Sequence, residues 1–467
     1  MRATFLRMVV LSVLIMSASP AAAAIAATDE TAPDLPARVS SASWDMALGR
    51  GKTAEAAESY LRSRANPDIL PTLILAMRYN GDTRDAALDL FNDLSAAKAE
   101  NWFDAQLWLE EHDEITPHPS YRMLKLFILS NIDAHFLQFL GGDRSDPEKM
   151  KIRLEEIAWG GVEVDGIPSL DDPALVRASL AGYLDAKDEV FGVVINGDAR
   201  AYPLRIMGWH EMFNDVIGGV PVALAYCTLC GSGILYETKV DRYKEPLRFG
   251  SSGFLYRSNK LMFDRHTFSL WNQFTGRPVV GPLVGSGIEL KTRPVTITTW
   301  ADWKRKHPKT KVLSLETGHS RNYASGAVYR EYFASPDLMF PARVRQDQVQ
   351  QKEFVFGIRL PGAKKAWPLR YFGDGKVIND TMGARSITLI GNQATRTVRA
   401  YFTNGEKFTK GDNADTLSGP GGSWKIEEDT LSGPDGHTYA RAPGGISYWF
   451  AWDNYLGEES ELFTPQD

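Results

Sequence analysis

The feature that most constrains the fold is a stretch of sequence that occurs twice. Residues 190–205, VFGVVINGDARAYPLR, match residues 355–370, VFGIRLPGAKKAWPLR, at a constant offset of 165 positions. Continued without a gap, the same offset pairs Asn214 with Asn379. A chain that matches itself in this way is expected to build one fold unit twice. The sequence therefore predicts two related units, and whatever the copies share specifies that common fold.

The copies differ at residues that are able to carry chemistry. Four such residues lie in the first copy: His210, Glu211, Cys227 and Cys230. The equivalent positions of the second copy hold Gly375, Lys376, Asn392 and Thr395. This pattern is expected if a functional site was added to one copy of a scaffold, or was lost from the other. The first copy is therefore the predicted place of function.

The order of sequence patterns predicts an α+β protein. Residues 43–140 carry apolar residues at three- and four-residue spacing between short breaks, which indicates an N-terminal helical, repeat-like domain. Residues 141–188 are predicted to be a linker or arm, because Gly, Asp and Pro interrupt them. Short aromatic strands between turn residues then predict two related antiparallel β-rich units, at 189–330 and at 350–458.

The N-terminus has the pattern of an export signal. Arg2 and Arg7 form a positive region before the apolar core Met8 to Met16, and small residues follow up to position 26, so residues 1–26 are predicted to be a signal peptide and 27–42 a tether. The expected location is the periplasm or the exterior, with no stable membrane span after processing. The net charge of −6 and the lack of basic runs predict no nucleic-acid partner.

Cys227 and Cys230 are the only cysteines, and their spacing allows three interpretations. A disulfide at this spacing closes a very short loop and is a poor structural staple. A metal centre is the first interpretation, and it would need more ligands, with His210, His266 or Glu211 completing the shell around copper or zinc. A thiol–disulfide redox pair is the second interpretation, although Gly231 and the residues after it are unlike the helix of thioredoxin-type motifs. A small disulfide or two buried thiols is the third.

Further candidate residues surround these cysteines in the sequence. Glu211 is predicted to be catalytic, by orienting His210 or by moving protons. The predicted substrate-binding residues are Asp264, Arg265, Trp271, Asn214 and Asp215. For the first two the alternative is a buried Asp–Arg ion pair, because polar residues in a core must be paired.

Several motifs resemble one known family when they are taken together. At GDARAYPL, HEMFND, PVALAYCTLCGS, FGSSG and LMFDRHTFSLW the chain is similar to the domain of unknown function 3179 family. The resemblance covers roughly residues 155 to 330, with a weaker echo to about 455, and it implies no activity. It implies that the predicted site residues other than His266, together with Gly231 and Ser269, fall on positions of the family's signature. The second copy lacks the His and Cys positions of that pattern.

The sequence as a whole thus predicts an exported protein with a Cys/Cys/His metal centre, of copper or zinc, in its first β-rich unit. A thiol–disulfide redox protein that uses Cys227 and Cys230 is the alternative. A third hypothesis is a non-enzymatic binding module, whose helical domain docks a protein partner.

Overall fold

The computed structural model describes residues 36–345, 347 and 349–465. The predicted signal peptide and residues 27–35 of the predicted tether lie outside this part of the chain. Within these ranges no helix has the length and apolar character that a membrane crossing requires.

The described chain begins with the predicted helical domain. Its helices are α1 (Pro36–Leu48), α2 (Gly51–Arg64), α3 (Leu70–Tyr79), α4 (Arg84–Ser95), α5 (Trp102–Glu111), α6 (Ser120–Ile132) and α7 (Leu137–Leu140). Helix α3 lies at the centre of the domain, since its residues from Leu70 to Met77 are all buried and it contacts α1, α4, α5 and α6. Helix α1 begins inside the stretch that the sequence assigns to the tether.

The predicted arm contributes a strand to each of three sheets. It contains β1 (Ile157–Trp159), β2 (Leu170–Asp171) and β3 (Leu175–Arg177). These strands pair with three different strands of the first β-rich unit, and each lies at the edge of its sheet. Helix α6 holds the start of the arm, because the buried Lys125 ammonium donates to the carbonyl oxygens of Leu154 and Ile157 at 2.5 and 2.6 Å.

The first unit contains three small sheets. Its elements are β4 (Glu189–Ile195), β5 (Asp198–Pro203), α8 (Leu204–His210), β6 (Met212–Ile217), β7 (Val220–Cys227), β8 (Ser232–Glu237), β9 (Phe249–Tyr256), β10 (Asn259–Asp264), β11 (Leu270–Asn272), β12 (Arg277–Val280), β13 (Thr292–Arg293), β14 (Thr296–Thr299), α9 (Trp300–Lys306) and β15 (Lys311–Leu313). The strand orders are β1-β9-β10-β11-β12, β13-β8-β7-β6-β2 and β14-β4-β5-β15-β3. The hairpin β7–β8 carries the two cysteines.

Residues 314–345 connect the two units and are here called the strap. They contain one short helix, α10 (Arg330–Ala334). The second unit follows with β16 (Phe354–Leu360), β17 (Ala363–Pro368), β18 (Lys376–Met382), β19 (Arg385–Asn392), β20 (Thr397–Thr403), β21 (Thr409–Lys410), β22 (Thr416–Gly419), β23 (Gly422–Ile426), β24 (Thr430–Ser432), β25 (Thr438–Ala440), β26 (Gly444–Tyr448), α11 (Trp449–Leu456) and β27 (Ser460–Leu462). Its sheets run β26-β16-β17-β27, β18-β19-β20 and β21-β22-β23-β24-β25.

The duplication extends beyond the segments that match in sequence. In each unit a strand, a helix and a second strand return to the first hairpin, as β14-α9-β15 and as β26-α11-β27. The final strand pairs parallel to the second strand of the unit in both copies. In both copies a glycine of the first strand lies against a tryptophan of the returning helix, Gly192 against Trp303 and Gly357 against Trp452.

The two units also contact each other reciprocally. Strand β26 of the second unit lies against β8 of the first, and the equivalent strand β14 of the first lies against β20 of the second. The predicted α+β fold, with a helical domain and two antiparallel-rich β units, is confirmed. The parallel pairs β2–β6, β5–β15 and β17–β27 are the exceptions to antiparallel pairing.

Candidate functional site

The two cysteines form a disulfide in the turn of the β7–β8 hairpin. Cys227 ends β7 opposite Ser232, the first residue of β8, and the Cα atoms of Cys227 and Cys230 are 5.2 Å apart. Gly231 closes the turn by donating its N–H to the Thr228 carbonyl at 3.2 Å, from a backbone φ of 61°. Glycine adopts this left-handed conformation readily, so the sequence C-x-x-C-G specifies a tight turn that brings both sulfurs together.

The second unit builds the same turn without sulfur. Asn392 ends β19 opposite Thr397, and Arg396 adopts φ 51° where the first unit has Gly231. The Asn392 side chain accepts a hydrogen bond from the Thr395 N–H at 3.1 Å, which spans the positions that the disulfide spans in the first unit. A side-chain amide is thus sufficient to close this turn. The second unit therefore forms this turn without cysteines.

The disulfide is enclosed by residues from three parts of the chain. Cys227 is 3% exposed and Cys230 is 0% exposed. Cys230 Sγ lies 3.5 Å from the carbonyl oxygen of Ser258, and the Cys230 carbonyl accepts a hydrogen bond from the Tyr448 N–H at 2.8 Å. From the strap, the Tyr332 hydroxyl donates to the Leu229 carbonyl at 2.8 Å. Leu229 lies between the cysteines, so the strap covers the loop that holds the sulfurs.

A buried ion pair lies beside this loop. Lys260 on β10 donates to Glu211 Oε2 at 2.9 Å, and their side chains are 4% and 9% exposed. The other carboxylate oxygen, Oε1, accepts a hydrogen bond from the Thr228 hydroxyl at 2.5 Å. Because Thr228 follows Cys227 directly, the Glu211 carboxylate is hydrogen-bonded to the loop that separates the two cysteines.

Tyrosine hydroxyls near Glu211 stay protonated at neutral pH. Burial, followed by the charge of Glu211, raises the pKa of Tyr329. Burial is also the main reason why the pKa of Tyr226 is raised, and Glu211 adds to it. These hydroxyls are therefore unsuited to taking a proton from a thiol.

His210 is held by two protein groups. Its Nδ1 lies 2.9 Å from the Pro168 carbonyl, and its Nε2 lies 2.6 Å from the Tyr323 hydroxyl. A carbonyl only accepts, so we assign the ring proton to Nδ1, and Nε2 then accepts from Tyr323. Burial lowers the pKa of His210 to about 4. The imidazole is therefore neutral at pH 7, with both nitrogens engaged.

The predicted metal ligands are not brought together as one group. Among residues 36–345, 347 and 349–465, no three His, Cys, Asp or Glu side chains lie in an arrangement suited to a metal ion. His266 is exposed, with its ring 4.3 Å from that of Tyr243. Binding of copper or zinc stays a prediction, for which reduction of the disulfide would have to free the two thiolates.

Asp264, one of the predicted substrate-binding residues, caps a turn. Asp264 is buried and accepts hydrogen bonds from the backbone N–H of His266 and Thr267, and from the Trp271 indole at 2.8 Å. Arg265 instead pairs with Asp165 of the arm at 2.8 Å. The alternative of a buried ion pair between Asp264 and Arg265 is therefore wrong, because the backbone and Trp271 satisfy the aspartate.

Asn214 and Asp215 make contacts that the second unit repeats. Asn214 exchanges hydrogen bonds with the backbone of Phe249, and Asn379 does so with Phe408. Asp215 accepts from the Tyr202 hydroxyl, and Asp380 accepts from the indole of the equivalent Trp367. Contacts that both copies share belong to the common fold. A substrate-binding role for the pair stays a prediction.

Sequence reasoning missed the partners of Glu211. Lys260 was visible as a charged residue in the apolar run SNKLMF, and Thr228 as a hydroxyl between the cysteines. Tyr332 and Tyr448 carry no such signal, because they reach the disulfide only through the strap and the second unit.

Comparison with known proteins gives one match. A family model described as "Protein of unknown function (DUF3179)" matches residues 164–459, from the arm to the end of the second unit. Neither the curated proteins nor the solved structures contain a match to the chain.

Proposed function

The chain belongs to the DUF3179 family, and because that description gives no activity, we propose a function from the chemistry of the site. We propose that the protein is an exported thiol–disulfide oxidoreductase whose redox centre is the Cys227–Cys230 pair. Export is consistent with the disulfide, since disulfides persist in oxidising compartments. The apolar N-terminal segment of the sequence supports the same location.

The proposed reaction is an exchange between this disulfide and an external dithiol. A substrate thiolate attacks one sulfur, the Cys227–Cys230 bond breaks, and its electron pair goes to the other sulfur, which takes up a proton. The second substrate thiolate then attacks the first substrate sulfur and displaces the protein cysteine, whose sulfur takes the electron pair and a proton, which leaves an oxidised substrate and two reduced cysteines. Glu211 is the proposed proton carrier, because its carboxylate accepts a hydrogen bond from Thr228, which lies between the two cysteines. The reverse sequence reduces an external disulfide.

The single observation that carries this proposal is the comparison of the two turns. The second unit closes the same turn with Asn392, so the hairpin does not require the disulfide. As a staple, a bond across so few residues is worth only about 2 kcal/mol in the chain-entropy model. The first unit nevertheless combines the cysteines with a buried ion pair, and buried charges near reactive groups are typical of functional sites.

Two competing functions remain as proposals with weaker support. A copper or zinc centre would use the reduced cysteines, but His210 would have to release Tyr323 to become a third ligand. A binding module would use the helical domain, where Met123 and Phe127 are exposed on α6. Neither function explains why Glu211 and Lys260 are buried beside the cysteines.

The test is a redox titration of the full chain produced by export. The protein is equilibrated with mixtures of reduced and oxidised dithiothreitol, alkylated and weighed by mass spectrometry. We expect a reversible two-electron transition between a disulfide form and a form that carries two alkyl groups. A double variant that copies the second unit, Cys227→Asn with Cys230→Thr, is the matched control and is expected to fold without this transition.

Three results would contradict the proposal. The first is a Cys227–Cys230 disulfide that stays oxidised in excess dithiothreitol under native conditions. The second is a double variant that no longer folds, because the disulfide would then be structural. The third is stoichiometric copper or zinc in the isolated wild-type protein with both thiols reduced, which would favour the metal centre.

A further inference from the structure

Lys260 is a charged residue in an otherwise buried part of strand β10. Its neighbours Leu261 and Met262 are 1% exposed, and the lysine side chain is 4% exposed. Burying a lysine has a large desolvation cost, which a single ion pair seldom recovers. A hydrocarbon side chain together with an uncharged partner would stabilise the fold at least as well. The ion pair with Glu211 is therefore not explained by stability.

The Lys260–Glu211 ion pair connects the Cys227 end of the disulfide loop with the Cys230 end. At the Cys227 end, the Glu211 carboxylate accepts a hydrogen bond from the hydroxyl of Thr228, the residue after Cys227. At the Cys230 end, Ser258 precedes Lys260 by two residues and its carbonyl lies 3.5 Å from Cys230 Sγ. The turn that leads into β10, the strand that carries the ammonium group, thus contacts the second sulfur.

We infer that Lys260 is a positioning residue that controls the reactivity of the Cys227–Cys230 pair by compensating the charge of Glu211. This inference rests on the proposed redox function. When the disulfide is reduced, the attacking form of either cysteine is the thiolate. A nearby unpaired carboxylate disfavours a thiolate, whereas a paired one has much less effect. Lys260 therefore allows Glu211 to lie beside the cysteines without suppressing their ionisation.

The test measures the alkylation rate of the fully reduced protein as a function of pH. In Lys260→Met the Glu211 carboxylate loses its partner, so the midpoint of the rate profile is expected to move to higher pH. A shift of one pKa unit makes alkylation at pH 7 about tenfold slower. Glu211→Gln leaves the lysine charge unpaired, so its midpoint is expected to move to lower pH. Lys260→Arg keeps the charge and is expected to restore most of the wild-type rate.

The matched control is Lys365 of the second unit. Lys365 is also buried, and its ammonium lies 2.9 Å from Asp380, the same distance as in the Lys260–Glu211 pair. Lys365→Met therefore also removes the cation of a buried ion pair, but one that does not contact the cysteine loop. We expect its alkylation profile to match that of the wild-type protein.

Shifts of opposite sign in Lys260→Met and Glu211→Gln would support the inference, because a purely structural loss has no reason to change sign. If Lys260→Met does not fold, the shift of Glu211→Gln to lower pH decides the question alone. An unchanged Glu211→Gln profile, or the same shift in Lys365→Met, would overturn it. The proposed function fails separately, if the wild-type pair shows no reversible redox transition.

Discussion

Glu211 brings its carboxylate into the site from a left-handed backbone conformation. It follows the last residue of α8 with φ 54°, and its N–H donates to the Met207 carbonyl at 2.7 Å. A residue other than glycine pays about 1 kcal/mol or more for this conformation. The second unit has Lys376, an exposed residue, at the same position. At this position the left-handed conformation occurs only in the copy with the cysteines, which supports a role of Glu211 in function.

The neighbouring His210 makes the stability of the protein depend on pH. The histidine has a folded-state pKa of about 4, against an ordinary value near 6.5, because it is buried. The unfolded chain therefore binds a proton more readily, and stability falls as the pH drops through 6.5 and levels off below 4. From pH 7 to pH 5, this one group is expected to reduce the free energy of unfolding by about 2 kcal/mol.

The measurement compares urea unfolding of the wild-type protein and of His210→Gln at pH 7 and pH 5. Glutamine cannot be protonated, so the variant should lose about 2 kcal/mol less than the wild type over this interval. His437→Gln is the control, because it replaces an exposed histidine of the second unit in the same way. Equal losses in the wild type and in His210→Gln would contradict the assignment.

At the scale of elements, the cysteine hairpin was predictable and its cover was not. An apolar run, a C-x-x-C-G turn and a second apolar run are local signals, and β7 and β8 formed where they indicate. The elements β14-α9-β15 and β26-α11-β27 also belong to the duplication, although their sequences have diverged too far to align.

The strap gave no signal, because residues 314–345 follow neither a helical nor a strand period. Its course depends on contacts with distant elements, such as those of Tyr323 with His210 and of Tyr332 with Leu229.

The strap is expected to limit access to the disulfide. Tyr332 is buried against the cysteine loop, whereas the adjacent Phe333 is 43% exposed. Tyr332→Ala removes the hydrogen bond to Leu229 and the ring that packs in the same cluster as both cysteines. Loss of about 1 kcal/mol from the closed state increases the open population about fivefold. Reduction by dithiothreitol should therefore be about five times faster in this variant.

The control for this experiment is Phe333→Ala, which changes the outer side of the same short helix. The fraction of reduced protein is followed by quenching with an alkylating reagent at successive times and weighing the products. An unchanged rate in Tyr332→Ala would mean that dithiothreitol reaches the sulfurs by a route that does not involve the strap.

At the scale of the whole molecule, the site exists only because two units face each other. The disulfide turn belongs to the first unit, but Tyr448 and Phe354 of the second unit lie against it, and a Cβ added at Gly231 would meet Phe354 at 2.8 Å. At the equivalent turn of the second unit, Arg396 pairs with Glu189 of the first. The self-match of the sequence predicted two units, but it carried no information on their mutual orientation, which depends on side chains far apart in the chain.

A buried charge network fixes this orientation at a second place. Glu428 accepts hydrogen bonds from Arg441 at 2.8 Å and Arg399 at 2.6 Å within the second unit, and from Thr296 of the first unit at 2.8 Å. Burial alone would raise the pKa of Glu428, but the arginine charges outweigh it and hold the pKa well below its usual range. The carboxylate is therefore ionised in the folded protein, and its stabilising effect disappears as the pH falls below about 4.3, where the unfolded chain takes up the proton.

Glu428→Gln is expected to loosen the two units from each other. The variant leaves Arg399 and Arg441 buried without a counter-charge, so the free energy of unfolding should fall by about 3–5 kcal/mol at pH 7.

The control is Asp415→Asn, which removes a partly exposed partner of Arg305 and should cost less than about 1 kcal/mol. Urea unfolding is followed by tryptophan fluorescence, and the rate at which dithiothreitol reduces the disulfide is measured on the same samples. Because Tyr448 and Phe354 hold the disulfide turn from the second unit, a variant with loosened units should also be reduced faster by dithiothreitol. A large loss of stability with an unchanged reduction rate would mean that the turn keeps its cover without the contact through Glu428.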